Sequence, residues 1–81
     1  MELYVRKNCP YCEKVEAAAK NLGLIEGTDY VRIDAAPDTP GREVVLKVGG
    51  KAMVPFLIDG DLSMYESEDI AVYLKRRKEA A

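Results

Sequence analysis

The order of the predicted elements indicates an α/β domain in which helices pack on a mixed sheet. Three patterns support this prediction: strand, helix and strand signals follow one another over residues 2–34, a hairpin signal covers residues 54–65, and an amphipathic helix pattern begins at Ser67. A strand, a helix and a strand in succession form a right-handed parallel crossover, whereas a hairpin joins antiparallel strands. The predicted order is βαβ(α)ββα, a layered α/β domain.

The first part of the chain carries the crossover. Residues 2–5 are β-prone and lead into polar residues, as a first strand would. From Pro10 to Gly23 the apolar residues recur at the helical spacing i, i+3, i+4 and i+7; they are Val15, Ala18, Ala19 and Leu22. Residues 30–34 alternate well enough to predict the second strand.

Residues 39–50 have a pattern that supports two interpretations. Thr39 and Pro40 suit the cap and the first position of a helix, and Glu43 and Lys47 lie four residues apart, as on one helix face. The β-branched residues between them favour a strand instead. From the residues alone the two interpretations are evenly balanced, and the glycines at positions 49 and 50 end the segment in either case.

The last third of the chain predicts a hairpin followed by a helix. Residues 54–58 and 62–65 are the two strands, and Asp59, Gly60 and Asp61 form the turn between them. Ser67 is expected to cap and open the last helix. The basic run at residues 75–78 complements the C-terminal end of that helix, so we interpret it as a solvated helix end.

Length and composition exclude several classes of protein. With 81 residues, we expect one domain over residues 1–81. A hydrophobic content of 48% is typical of globular proteins, and a net charge of -2 argues against a general nucleic-acid binder. No apolar run approaches the length of a membrane span, and residues after Met1 lack a signal-peptide pattern. We therefore expect a cytoplasmic protein with no membrane partner.

Cys9 and Cys12 are the two cysteines of the chain, and they lie where a helix is predicted to begin. With Pro10 at the first helical position, Cys9 becomes the cap and Cys12 falls one turn along. Residues three apart on a helix have Cα atoms roughly 5 to 6 Å apart, within the range of a disulfide. The helix end favours a thiolate, so we expect Cys9 to be an exposed nucleophile and Cys12 to be the resolving thiol.

Other roles for the two cysteines are weaker. A structural disulfide across so short a loop would restrict the unfolded chain very little. A zinc site needs four ligands, and the sequence has no histidine and no third cysteine, so no metal is predicted for one chain. An iron-sulfur cluster shared between two chains stays open, because cluster iron accepts cysteine thiolates.

Three separated motifs give the chain a family resemblance. The sequence Cys-Pro-Tyr-Cys at residues 9–12 follows a strand, Met-Val-Pro at residues 53–55 precedes the hairpin, and Glu-Ser-Glu-Asp at residues 66–69 opens the last helix. With these motifs in this order, the chain resembles a glutaredoxin over nearly its whole length. The resemblance implies the thioredoxin fold, a four-stranded mixed β-sheet flanked by three helices, in which residues 39–50 are helical.

The resemblance also implies a glutathione site. Pro55 would be cis and would lie against the dithiol, and the Val54 backbone would pair with glutathione. The implied glutathione contacts are Arg6, Tyr11, Val54, Pro55, Glu66, Ser67 and Glu68, with Arg42 as a further candidate for the glycyl carboxylate. The stretch from Asp59 to Leu74 also resembles the N-terminal domain of glutathione transferases, in which a Glu-Ser pair holds the γ-glutamyl group. Both Glu66 and Glu68 are therefore candidates for this contact.

From these observations we predict a dithiol glutaredoxin that reduces protein disulfides and glutathione mixed disulfides. Glutathione would be the reductant, no cofactor would be tightly bound, and the protein would be a monomer whose partners are glutathione and disulfide-containing or glutathionylated proteins. Three alternatives stay open: a redoxin reduced by thioredoxin reductase, an iron-sulfur carrier formed by a dimer through Cys9 and glutathione, and a glutathione-binding module without turnover.

Overall fold

A computed structural model describes residues 1–80 of the chain, and its elements follow the predicted order. The four strands and three helices are β1 Glu2–Val5, α1 Pro10–Asn21, β2 Val31–Asp34, α2 Pro40–Gly49, β3 Phe56–Asp59, β4 Leu62–Met64 and α3 Ser67–Ala80. The segment that the residues alone left undecided is helix α2, as the resemblance implied. No helix within residues 1–80 has the length and apolar character needed to cross a membrane.

The four strands form one mixed sheet in the order β2-β1-β3-β4. Strand β1 pairs in parallel with β2, with Glu2 opposite Val31. It pairs antiparallel with β3, with Leu3 opposite Leu57, and β3 pairs antiparallel with β4. This topology with three helices is the predicted thioredoxin fold, and the predicted fold class is confirmed.

The sheet has a hydrophobic core on each face, because successive side chains of a strand point to opposite faces. Leu3 and Val5 of β1 point into the larger core, which α1 and α3 cover with Val15, Ala19, Ile70 and Leu74. Tyr4 points into the smaller core on the other face, where Val45 of α2 packs with Phe56. Each fully buried aliphatic or Phe side chain stabilises the fold by about 1.5–3 kcal/mol relative to exposure.

Local signals at the helix ends agree with the sequence in two helices and differ in the third. Thr39 caps α2 by accepting a hydrogen bond from the backbone N–H of Arg42 at 3.2 Å, and Gly50 ends it with φ 87°. At α3 the carbonyl of Glu66 accepts from the N–H of Ile70 at 2.8 Å. Helix α3 therefore begins at Ser67, as predicted, and Glu66 takes the cap position that the sequence assigned to Ser67.

Candidate active site

The two cysteines occupy the first turn of α1 as the sequence predicted. Cys9 is the N-cap in an extended conformation, Pro10 is the first helical residue, and the N–H of Cys12 donates a hydrogen bond to the Cys9 sulfur at 3.2 Å. Both are free thiols. A helix N-terminus with an N–H directed at sulfur stabilises negative charge there. Within residues 1–80, no three His, Cys, Asp or Glu side chains cluster in a way that could hold a metal ion.

Both cysteines are buried, which corrects the expectation of an exposed Cys9. Cys9 is 6% exposed and Cys12 is 0% exposed, and both belong to the larger core. Val54, which comes from the segment before β3, packs against this core. A helix end is exposed when considered alone, but here Cys9 belongs to a core against which Val54, more than 40 residues away, also packs. Cys9 and Val54 line the same cavity, and we take this cavity as the place where the Cys9 sulfur can meet a substrate.

Burial also affects the chemistry of Cys12. It raises the pKa of Cys12 to about 12, and the hydrogen bond with Cys9 and the charge of Cys9 add to this shift. Cys12 is therefore a protonated thiol near neutral pH. A thiol is a poor nucleophile compared with a thiolate. The raised pKa supports Cys12 as the thiol that reacts second, and the N–H directed at the Cys9 sulfur supports Cys9 as the attacking one.

A groove runs past Cys9 and is formed by two adjoining cavities that share the side chains of Tyr11, Met53 and Val54. The cavity of about 300 Å³, here named the acidic end, is completed by Pro55, Tyr65, Glu66 and Ser67. The cavity of about 380 Å³, here named the basic end, includes Arg6, Cys9 and Arg42. The groove therefore offers a carboxylate on one side of the nucleophile and two guanidinium groups on the other.

Most of the residues that the sequence singled out meet along this groove. They are Arg6, Cys9, Tyr11, Val54, Pro55, Glu66 and Ser67. The Val54–Pro55 bond is cis, as the resemblance implied. Glu68 is not among the lining residues: its side chain is 83% exposed, and its carboxylate lies 3.7 Å from the Lys14 ammonium. Of the two candidate carboxylates, Glu66 is the one in the groove.

Comparison with known proteins decides the family. The family model of the glutathione S-transferase N-terminal domain matches residues 3–81. The chain belongs to this family. A solved structure of glutathione S-transferase-I bound with the ligand lactoylglutathione is similar to this chain, with a TM-score of 0.75 and 25% sequence identity. The match covers 98% of this chain and 37% of that chain. No curated protein matches the sequence.

The family shown is the second of the two resemblances found in the sequence, and both share the thioredoxin fold. In this chain the pair Glu66-Ser67 lies in the acidic end of the groove. The narrower assignment to the glutaredoxins rests on the two cysteines and stays a prediction.

Sequence reasoning did not assign several of the residues that line the groove, among them Met53 and Tyr65. Met53 is 50% exposed and lines both cavities, and Tyr65 lines the acidic end. Met53 belongs to the Met-Val-Pro motif and could have been found there, whereas Tyr65 carries no local signal beyond its place beside Glu66. Arg42 lines the basic end, where its guanidinium donates to the carbonyls of Ala35 and Ala52.

Proposed function

We propose that this chain is a glutathione-dependent thiol-disulfide oxidoreductase of the glutaredoxin type. The observation that carries the proposal is the position of Cys9: it caps α1, its sulfur accepts the Cys12 N–H at 3.2 Å, and it lies in a groove with oppositely charged ends. The oppositely charged ends of the groove suit a zwitterionic peptide, and the two thiols can carry out disulfide exchange. Its substrates are protein disulfides and glutathione mixed disulfides.

Glutathione fits the groove by charge. Its γ-glutamyl ammonium pairs with Glu66, while its γ-glutamyl carboxylate meets the N-terminus of α3 and the hydroxyl of Ser67. Its glycyl carboxylate lies toward Arg6 and Arg42 at the basic end. The central cysteine of glutathione then lies along Val54, beside the Cys9 sulfur. The glutathione conjugate bound by the similar transferase structure supports this choice of ligand.

Reduction of a glutathione mixed disulfide takes two exchanges. The Cys9 thiolate attacks the glutathione sulfur, a Cys9-glutathione disulfide forms, and the substrate leaves as a thiolate that takes a proton from water. A second glutathione, as thiolate, attacks the bound glutathione sulfur. Glutathione disulfide leaves and the Cys9 thiolate returns. In the sum of the two exchanges, one glutathione thiol and the mixed disulfide give the reduced substrate thiol and glutathione disulfide, so glutathione is the reductant and no bound cofactor takes part.

Reduction of a protein disulfide uses Cys12. After Cys9 has formed a mixed disulfide with the substrate, the Cys12 sulfur attacks Cys9 and its proton passes to the departing substrate thiolate. The raised pKa keeps Cys12 protonated before this step, mainly through burial and then through its hydrogen bond with Cys9. The contribution of the Cys9 charge disappears once Cys9 is in a disulfide. Two glutathione molecules then reduce the Cys9-Cys12 disulfide.

A glutathione assay coupled to glutathione reductase tests the proposal with three proteins. Cys9→Ser is expected to lose activity on both substrate types. Cys12→Ser is expected to keep turnover of glutathionylated substrates and to lose reduction of protein disulfides. Activity that survives in Cys9→Ser, or equal loss of both activities in both variants, would contradict the assigned roles.

The same assay separates one rival that the family match favours. A glutathione-binding module without turnover would bind glutathione but show no reductase activity in the wild type. Repeating the assay with thioredoxin reductase as electron donor tests the second rival, a redoxin that does not use glutathione. Brown absorbance in the purified protein would instead favour the iron-sulfur carrier. The single-domain organisation, the monomeric state and the cytoplasmic location are part of this proposal.

A further inference from the structure

We infer that Tyr65 and Arg42 are positioning residues that hold residues 51–55, here named the groove segment, in place beside Cys9. Each of them anchors a different backbone group of the segment. The inference rests on the proposed function, because it concerns how the backbone of Val54 is presented to glutathione. Neither residue is assigned to this role by the sequence pattern.

The groove segment needs anchors because it belongs to no helix or strand. It connects α2 to β3, and Lys51, Ala52 and Met53 are exposed. The backbone hydrogen bond found there is local, from the N–H of Met53 to the carbonyl of Lys51 at 2.9 Å. Exposed segments with few backbone contacts open readily. A peptide ligand, however, binds tightly only to a backbone that is already fixed.

Tyr65 holds the first residue of the segment at both of its backbone groups. Its hydroxyl accepts from the N–H of Lys51 at 3.0 Å and donates to the carbonyl of Lys51 at 2.7 Å. The ring lies against the fully buried ring of Phe56, with the centroids 4.6 Å apart. Gly49 leaves room for the hydroxyl, because a Cβ at that position would collide with it. The anchor is therefore attached to the core.

Arg42 holds the second residue of the segment. Its Nε donates to the carbonyl of Ala35 at 2.8 Å, and its Nη1 donates to the carbonyl of Ala52 at 2.9 Å. Ala35 is fully buried just after β2, so the guanidinium ties the segment to the sheet. The planar guanidinium can bridge two carbonyls in fixed directions, whereas a lysine ammonium offers one compact charge. Arg42→Lys therefore keeps the charge and removes the bridge.

Loss of either anchor is expected to weaken glutathione binding more than it slows the exchange itself. Releasing one ordinary hydrogen bond changes an equilibrium by about fivefold. We expect KM for a glutathionylated peptide to rise about fivefold in Arg42→Lys, which loses one hydrogen bond to the segment, and at least about fivefold in Tyr65→Phe, which loses two, with kcat within about twofold of wild type. Because the two anchors hold neighbouring residues, the double variant should raise KM by less than the product of the single effects.

Tyr73→Phe is the matched control. Its hydroxyl donates to Asp59, and neither residue lines the groove. KM should not change in this variant. Unchanged KM in both Tyr65→Phe and Arg42→Lys would overturn the inference, and so would an equal rise in Tyr73→Phe, which would indicate general softening of the fold. A purely structural role would instead lower the active fraction and leave KM alone.

A second measurement does not depend on glutathione turnover. Amide hydrogen exchange at Met53, followed by NMR in the reduced protein without ligand, should be about fivefold faster in Tyr65→Phe and in Arg42→Lys than in wild type or Tyr73→Phe. A wild type that is inactive with glutathione would refute the proposed function, while faster exchange would still support the anchors. Exchange at the wild-type rate in both variants would overturn the anchoring itself.

Discussion

Replacing Glu66 by glutamine removes the negative charge that the proposed function places beside the ammonium of glutathione, and it preserves the size of the side chain. A hydrogen bond to a charged group contributes about 1.5–3 kcal/mol. Glu66 is exposed at the open, acidic end of the groove, where water screens the charge, so the lower value applies. We therefore expect binding of glutathione to weaken by about tenfold in Glu66→Gln, which corresponds to about 1.4 kcal/mol.

The chain supplies a matched control two residues later. Glu68 carries the same charge, but its side chain is 83% exposed and its carboxylate lies 3.7 Å from the Lys14 ammonium, outside the groove. Exposed ion pairs of this kind contribute about 0–1 kcal/mol to stability. Glu68→Gln is therefore expected to change glutathione affinity by no more than about twofold.

Isothermal titration with S-methylglutathione measures the affinity without allowing disulfide exchange. Wild type, Glu66→Gln and Glu68→Gln should be compared at low and at high salt, because the contribution of Glu66 should shrink as screening increases. A loss in Glu68→Gln as large as that in Glu66→Gln would refute the placement of the ammonium. An unchanged affinity in Glu66→Gln would refute it as well.

Two further predictions concern stability. In the reduced protein, the unfolded Cys12 thiol ionises above its ordinary pKa of 9.0, whereas the folded one stays protonated to about 12. The free energy of unfolding should therefore fall by up to about 1.4 kcal/mol per pH unit as the pH rises above 9. Urea titrations with reductant measure this fall, and Cys12→Ala should lack it. Parallel curves of unfolding free energy against pH for the two proteins would contradict the prediction. Gly49→Ala should cost about 1–3 kcal/mol, because its Cβ would collide with the rings of Tyr65 and Phe56. Lys47→Ala, on the exposed surface of the same helix, should change stability by less than about 0.5 kcal/mol, and an equal loss in both variants would contradict the collision at Gly49 as the cause.

The sequence alone determined the element order and the local geometry of the dithiol. Apolar periodicity in α1 and the position of Pro10 are properties of neighbouring residues, so the cap at Cys9 followed from them. The hairpin followed from its turn residues for the same reason. For the segment that forms α2, the residues alone favoured helix and strand equally, because its β-branched side chains favour a strand whereas its cap residues favour a helix. Burial of Val45 against the second face of the sheet favours the helix, since packing of an apolar face supplies most helical stability.

Only the tertiary structure decided which groups meet at the groove and how far each is buried. Cys9 belongs to a core built from both termini of the fold and joined by Val54, and in this core the cysteine is buried instead of exposed. Glu66 lies in the groove and Glu68 does not, although both belong to the same motif. The anchor from Tyr65 to Lys51 joins residues 14 positions apart. Spacing along the chain predicts contacts within one turn or one hairpin, whereas desolvation and pairing depend on segments that only folding brings together.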